Sequence, residues 1–254
     1  MSDLFVKRKS VNFVNYYNTI FGVVMKKYIL SILITVLPTG LFAIAGFGLQ
    51  VAQGQMKVEE SVLGGADIPG VTLTNGAFEN AFSIGAFLYV DIIPVIDLEL
   101  DFQAMGNTYD INFVNPIGSM DPIPFAWATV NTYITVRKDV FSLSIPFLAA
   151  AKLYSGVGYN MHRTTPVADI EMVENLLGGD ILGGDVSSLN ENLEDFMTNE
   201  DNYDKSNGFH FQAGLQLKLL TFTSQLFYRY TMAEDVVPDK KGFGSMNFRF
   251  GFGI

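Results

Sequence analysis

Asp97, Glu99 and Asp101 stand at every second position of one run. In an extended chain that spacing puts three carboxylates on one face. Such a cluster could hold a metal ion or work as general acid and base. Four cations lie in comparable runs elsewhere: Lys152, Lys218, Arg229 and Arg249. A charge taken out of water needs an opposite partner. The expected role of these seven residues is therefore mutual pairing across a shared interior, and no catalytic role. The two histidines are too few for a histidine-rich metal site. His210 alternates with Gln212 and Lys218 on a polar face and is expected to be a hydrogen-bonded interior residue. His162, at the edge of a long connection, is expected in solvent. Cysteine is absent, which excludes a thiol nucleophile, thiolate metal ligation and disulfides. No catalytic, metal or cofactor-binding set emerges, so no cofactor is expected.

The densest charge lies between Met161 and Lys205. Eleven acids stand there: Asp169, Glu171, Glu174, Asp180, Asp185, Glu191, Glu194, Asp195, Glu200, Asp201 and Asp204. Only Arg163 and Lys205 oppose them, leaving −9. Ile170, Val173 and Leu177 recur at helical intervals. Ser188-Leu189-Asn190-Glu191 has capping-box form ahead of Leu193, Phe196 and Met197. Two short amphipathic helices are expected. Between them, Gly178-Gly179-Asp180 to Gly183-Gly184-Asp185 has the composition of a calcium-binding repeat. Such repeats act in tandem, and a single imperfect copy reads better as a flexible acidic connector.

Around these residues the chain alternates with period two, the mark of strands. Phe47, Leu49 and Val51 alternate with small or polar residues. Further runs follow near 82–90, 96–103, 125–137, 141–159, 209–219, 225–230 and 245–254. Eight strands are expected. A soluble β-sandwich would bury the apolar face. Three features favour the inverted arrangement. Most runs reach the ten or so residues that a tilted membrane strand needs. The polar face carries charges in its middle, among small residues. The connections also alternate in length, long near 57–78, 106–124, 160–205 and 232–242 but tight near 92–95, 138–140 and 220–221. The reading is an all-β fold: an eight-stranded antiparallel up-and-down transmembrane β-barrel with short helices in one long loop. Tyr89, Trp127, Tyr159, Tyr230 and Phe243 are expected in its interfacial girdles. Residues 160–205 are expected to lie outside the lipid as an acidic satellite.

The amino terminus reads as a targeting region. Lys26 and Lys27 precede the uncharged run Tyr28 to Leu37, then Pro38 and Ala43-Ile44-Ala45, the order of parts of a signal peptide. Residues 25–45 are expected to be the signal, with cleavage between Ala45 and Gly46 and Ala43 completing the small-residue pattern. Residues 1–24 read as an upstream extension, and 46–254 as the mature barrel. The competing reading is an uncleaved helix over Tyr28–Leu49. The whole chain carries −10. Its first 45 residues hold five bases against one acid, so the expected mature chain stands at −14. That acidity excludes general nucleic-acid binding.

The last run reads Gly244-Ser245-Met246-Asn247-Phe248-Arg249-Phe250-Gly251-Phe252. With the eight alternating strands and the signal, it resembles bacterial outer-membrane β-barrel domain proteins of the small OmpA-type and OmpX-type. The likeness covers about residues 46–254 and is architectural, without a diagnostic motif. It implies a cell outer-membrane location, membrane lipids as surroundings, and a terminal aromatic signal read by the barrel-assembly machinery. Here the chain ends in Ile254, with Phe252 two residues before it, a departure from that signal. A monomer is expected. Function is expected to be non-enzymatic and structural or surface-related, with a filled polar lumen. A narrow, porin-like transport route for a solute or hydrophobic molecule is the alternative. A lipid-modifying barrel enzyme, using a histidine with serine and a carboxylate, is a third reading.

Overall fold

The structure is a computed structural model. It describes residues 44–253 apart from 66–67, 94–95, 120, 146–147, 187–188, 190–191, 194–195 and 197–198. Ala43, the expected signal residues before it, the expected 1–24 extension and Ile254 lie outside the described residues.

Among the described residues ten strands form one antiparallel sheet: β1 (Ile44–Val58), β2 (Ser61–Gly64), β3 (Thr72–Asn75), β4 (Phe78–Ile93), β5 (Ile96–Val114), β6 (Ile123–Ile145), β7 (Ala149–Thr164), β8 (Asp204–Leu219), β9 (Phe222–Ala233) and β10 (Gly242–Gly253). Eight of them close a ring. β1 pairs with β4, β4 with β5, and each following neighbour in turn to β10. The ring shuts where β10 returns to β1, from Gly46↔Gly253 to Gln55↔Gly244. The hairpin β2–β3 is additional. It pairs with β5 only beyond the stretch that β4 covers, through Thr72↔Val114 to Asn75↔Ile111.

Polarity around the ring is inverted relative to a soluble barrel. Phe47, Leu98, Leu215, Leu226 and Phe248 point outward and are 43–61% exposed. Glu99, Arg229, Asn247 and Arg249 point inward and are fully buried. Leu217 and Phe250 lie on the outer face, and Gln216 on the inner one, as alternation requires. A side of Phe and Leu facing out is stable only against lipid. In lipid a sheet must also satisfy its own backbone, which ring closure achieves. The fold is therefore a transmembrane β-barrel. Among the described residues no helix is long and apolar enough to cross a membrane. Ile44 to Leu49, the end of the alternative helical span, lie in β1.

Several strand boundaries differ from the sequence expectation, and β5 runs on to Val114 where a long connection was expected. β6 does not end before 138–140. After an irregularity between Asp139 and Phe141 it keeps pairing, Phe141↔Leu153 to Ile145↔Ala149. The reversal falls between Ile145 and Ala149. Likewise β7 and β8 continue past Tyr159 and start before Phe209, pairing out to Thr164↔Asp204.

Beyond the lipid-facing zone the long connections build a second core. A helix, α1 (Ile170–Leu176), buries Met172, Val173 and Leu176. They join Leu189 and Leu193 in one cluster with Leu73, Ile111, Phe113 and Trp127. The Phe78 ring lies 5.6 Å from both Tyr109 and Trp127. Trp127 Nε1 donates to the Val236 carbonyl at 3.1 Å. Asp169 caps α1 by accepting from the Met172 N–H at 2.7 Å. Gly178 and Gly179, at φ 74° and 89°, end it, with the Gly179 N–H reaching the Glu174 carbonyl. The glycine–aspartate stretch thus serves helix termination, and Asp180 accepts from the Gly183 N–H. The connection packs on the barrel rim as a cap. The projecting ends of β3 and β5 present Leu73, Ile111 and Phe113, which need apolar cover in water. Ser188 of the second expected helix lies outside the described residues.

The same core corrects three girdle assignments. Tyr89, Trp127 and Phe243 are 1–3% exposed and face inward or into the cap. Tyr159 and Tyr230 do face outward, 40% and 45% exposed.

Candidate functional site: the barrel interior

Alternation aims one set of side chains from every strand at the barrel axis. β5 delivers Asp97, Glu99 and Asp101, β6 delivers Arg137, β9 Arg229 and β10 Arg249. Arg137 meets Asp97 at 2.5 Å and Glu99 at 2.8 Å. Arg249 meets Glu99 at 3.1 Å and Asp101 at 2.5 Å. Arg229 closes the series on Asp101. The result is a chain of alternating sign, Asp97–Arg137–Glu99–Arg249–Asp101–Arg229, with zero net charge.

Amides hold the chain in place. Gln212 donates to Glu99 at 2.7 Å and accepts from Arg229 Nε at 3.1 Å. Gln216 accepts from Arg137 at 2.8 Å, and Gln50 from Arg249 Nε at 2.7 Å. Each guanidinium also lies over an aromatic ring: Arg137 over Tyr154 at 4.5 Å, Arg229 over Tyr133 at 3.9 Å, Arg249 over Phe227 at 4.4 Å. A flat, weakly hydrated guanidinium suits such burial better than an ammonium does.

Five of the seven residues singled out in the sequence therefore meet. Lys152 does not join them. It pairs with Asp139 at 2.6 Å, both about a quarter exposed. Lys218 is half-buried one residue before the end of β8. The missed member is Arg137. Its signal was in the sequence, because it shares parity with Tyr133 and Thr135.

Next to this network lie both histidines. His210 is fully buried, with Nε2 2.8 Å from Thr135 Oγ1. His162 is also buried, not solvated as its position near a long connection suggested. Its ring contacts Asn131 and Asn160. The extension of β7 to Thr164 carries it inside. Gly158 pairs with His210 across the ladder. A Cβ at Gly158 would lie 2.5 Å from the His210 ring and 2.0 Å from the Ile134 carbonyl. The glycine makes room for the imidazole. Neither histidine has a carboxylate or serine among these partners, so the acyl-transfer constellation is not assembled around them.

Asp97, Glu99 and Asp101 are occupied by arginines. Among the described residues no group of three or more histidines and acids is arranged to hold a metal. Of the expected cleavage residues, Ala45 and Gly46 lie in β1, pairing with Val90 and Tyr89.

No family model matches the chain, and no curated protein matches it. Solved structures do. The chain is similar to Ail, the attachment invasion locus protein of Yersinia pestis, solved with the heparin analogue sucrose octasulfate. Identity is 9%, the match covers 84% of this chain and 99% of that one, and the TM-score is 0.42. It is similar to the outer membrane protein OprG of Pseudomonas aeruginosa at 10% identity, covering 83% and 94%, with TM-score 0.44. The N-terminal β-barrel domain of Pseudomonas aeruginosa OprF matches at 9%, covering 84% and 99%, with TM-score 0.38. The fold assignment stands on the closed ring and its inverted polarity: the chain is an eight-stranded transmembrane β-barrel.

Proposed function

We propose that the protein is an integral, non-enzymatic barrel of a bacterial outer membrane, with a structural or surface role and a lumen closed by its own side chains. The observation that carries this is the neutral six-charge chain through Arg137, Arg249 and Arg229. Its members are nearly all inaccessible to solvent, and eight strands leave an interior just wide enough for side chains to fill. Membrane lipids surround the outer face. The assembly machinery would read the alternating β10, in which Phe248, Phe250 and Phe252 face outward. A monomer suffices, since the ring needs no second chain to pair its strands. In a planar bilayer the protein is expected to give no steady open-pore current. A stable conductance from the unaltered protein would overturn the closed lumen.

A narrow solute route is the second reading. It is favoured by buried polar atoms lacking a partner: Asp101 Oδ1, Arg229 Nη1, Asn131 Nδ2 and Asn160 Nδ2. Such atoms are satisfied by internal water. Solute uptake into liposomes, abolished by filling substitutions at Asn131, would favour it over the first.

A further inference from the structure

A cleft of about 730 Å³ opens between the cap and the barrel mouth. Three separate elements supply its acids: Asp169 at the start of α1, Asp204 at the start of β8, and Glu234, Asp235 and Asp239 in the β9–β10 connection. Lys240 and Lys241 also line it. Lys241 lies 3.7 Å from Glu234, with both side chains largely in solvent, so the pair is screened and weak. The cleft keeps an excess of three negative charges.

A second observation comes from its floor. Asn75 lines the cleft and is only 4% exposed. Its amide nitrogen donates to the Ala168 carbonyl at 2.8 Å and to Ser61 Oγ at 3.3 Å. Those acceptors fix the amide orientation, because a carbonyl requires a donor. Asn75 Oδ1 is left buried with no partner. An acceptor in that state is costly unless a donor arrives. Beside it Leu63, Val167 and Pro238, each partly exposed, give the cleft an apolar surface.

We propose that this cleft binds a small organic polyammonium ion. One ammonium donates to Asn75 Oδ1, the methylene stem lies on Leu63, Val167 and Pro238, and further ammonium groups meet Asp204 and Asp235. The carboxylates are spread over three elements rather than converged, which matches a ligand with spaced charges better than a point cation. An anionic ligand would be repelled, and a neutral one would leave the acids unmatched. Asp204 carries a supporting sign: its carboxyl is held above its ordinary range by partial burial and by Asp235 and Asp169. A cation there would relieve that repulsion. The site goes beyond the closed-barrel reading and does not depend on it.

The probe is spermidine, titrated calorimetrically into the full-length protein folded in detergent, with Trp127 fluorescence as the second readout. Saturable one-to-one binding is expected, together with a change in Trp127 emission. Asp204→Asn/Asp235→Asn should weaken it by roughly tenfold or more while the folded, heat-modifiable form persists. Asn75→Leu should weaken it similarly. If Asn75→Leu does not fold, the exposed aspartate pair decides alone. Absence of saturable binding would overturn the proposal. So would unchanged affinity in the aspartate pair variant, or displacement by magnesium at matched ionic strength, which would mark a diffuse counterion effect.

Discussion

Arg249 on β10 and Asp101 on β5 lie 148 residues apart in sequence, yet their side chains meet at 2.5 Å inside the barrel. β4 and β1 separate the two strands around the ring. Asp101 also receives Arg229. Replacing Asp101 with Leu would leave two buried guanidinium groups short of a counter-charge. The expected loss is about 3–5 kcal/mol, read as a lower urea midpoint in detergent. Asp139→Asn, at the partly exposed pair with Lys152, should cost no more than about 1 kcal/mol. Similar losses at both positions would contradict a buried network.

The lipid face should tolerate charge according to depth. Leu226 is 52% exposed on the outer face, mid-way along β9. Leu226→Arg is expected to cost roughly 2–4 kcal/mol. Leu217 stands two residues before the end of β8, so Leu217→Arg should cost about 0–1 kcal/mol, as near an interface. Refolding equilibria in lipid vesicles would rank them, and a larger loss at Leu217 would misplace the membrane zone.

Room for His210 is expected to be strict. Gly158→Ala places a Cβ against the Ile134 carbonyl and the imidazole. Overpacking of this kind costs about 1–3 kcal/mol. Adding His210→Ala should recover part of the loss, since it removes one of the two clashes. Independent, additive effects in the double-mutant cycle would argue against direct contact.

The cap and barrel should separate under truncation. Joining Thr164 to Asp204 by a short Gly/Ser linker removes α1, Leu189 and Leu193 but keeps every ring pairing. Loop length itself is a small term in closure. The expected product is a heat-modifiable barrel whose sole tryptophan, Trp127, emits at longer wavelength because its cover is gone. Unchanged emission would mean that the cap does not shield it.

Asp204 gives the pH dependence a sign. Its carboxyl is raised in the folded state by partial burial, then by Asp235 and Asp169. A raised acid binds protons more readily folded than unfolded, so this group favours folding as pH falls through its folded pKa. That contribution is complete below the ordinary aspartate value of about 4 and absent at neutral pH. Asp204→Asn should therefore raise the urea midpoint slightly near pH 7, and this advantage should vanish near pH 3. The same titration should weaken spermidine binding as the pH falls.

Much of this protein is decided by its order of residues. Period-two alternation, as in Phe209 to Leu219, sets which side chains face lipid and which face inward, because a strand has only two faces. Tight and long connections then set the up-and-down order. Strand ends were less legible, since pairing continued past Lys138 and Tyr159 wherever a neighbour remained. The partners inside the barrel were decided only by closure. Parity placed Glu99 and Arg249 on the inner face, but shear and tilt of the ring determine which inward residues share a level. Hence Arg137 joined the network while Lys152 stayed with Asp139. The cap was equally illegible. Leu73, Phe113, Trp127 and Leu193 belong to four distant segments, and their contact exists only because the ring sets β5 beside β6 while β3 and the connection after β7 fold against that rim.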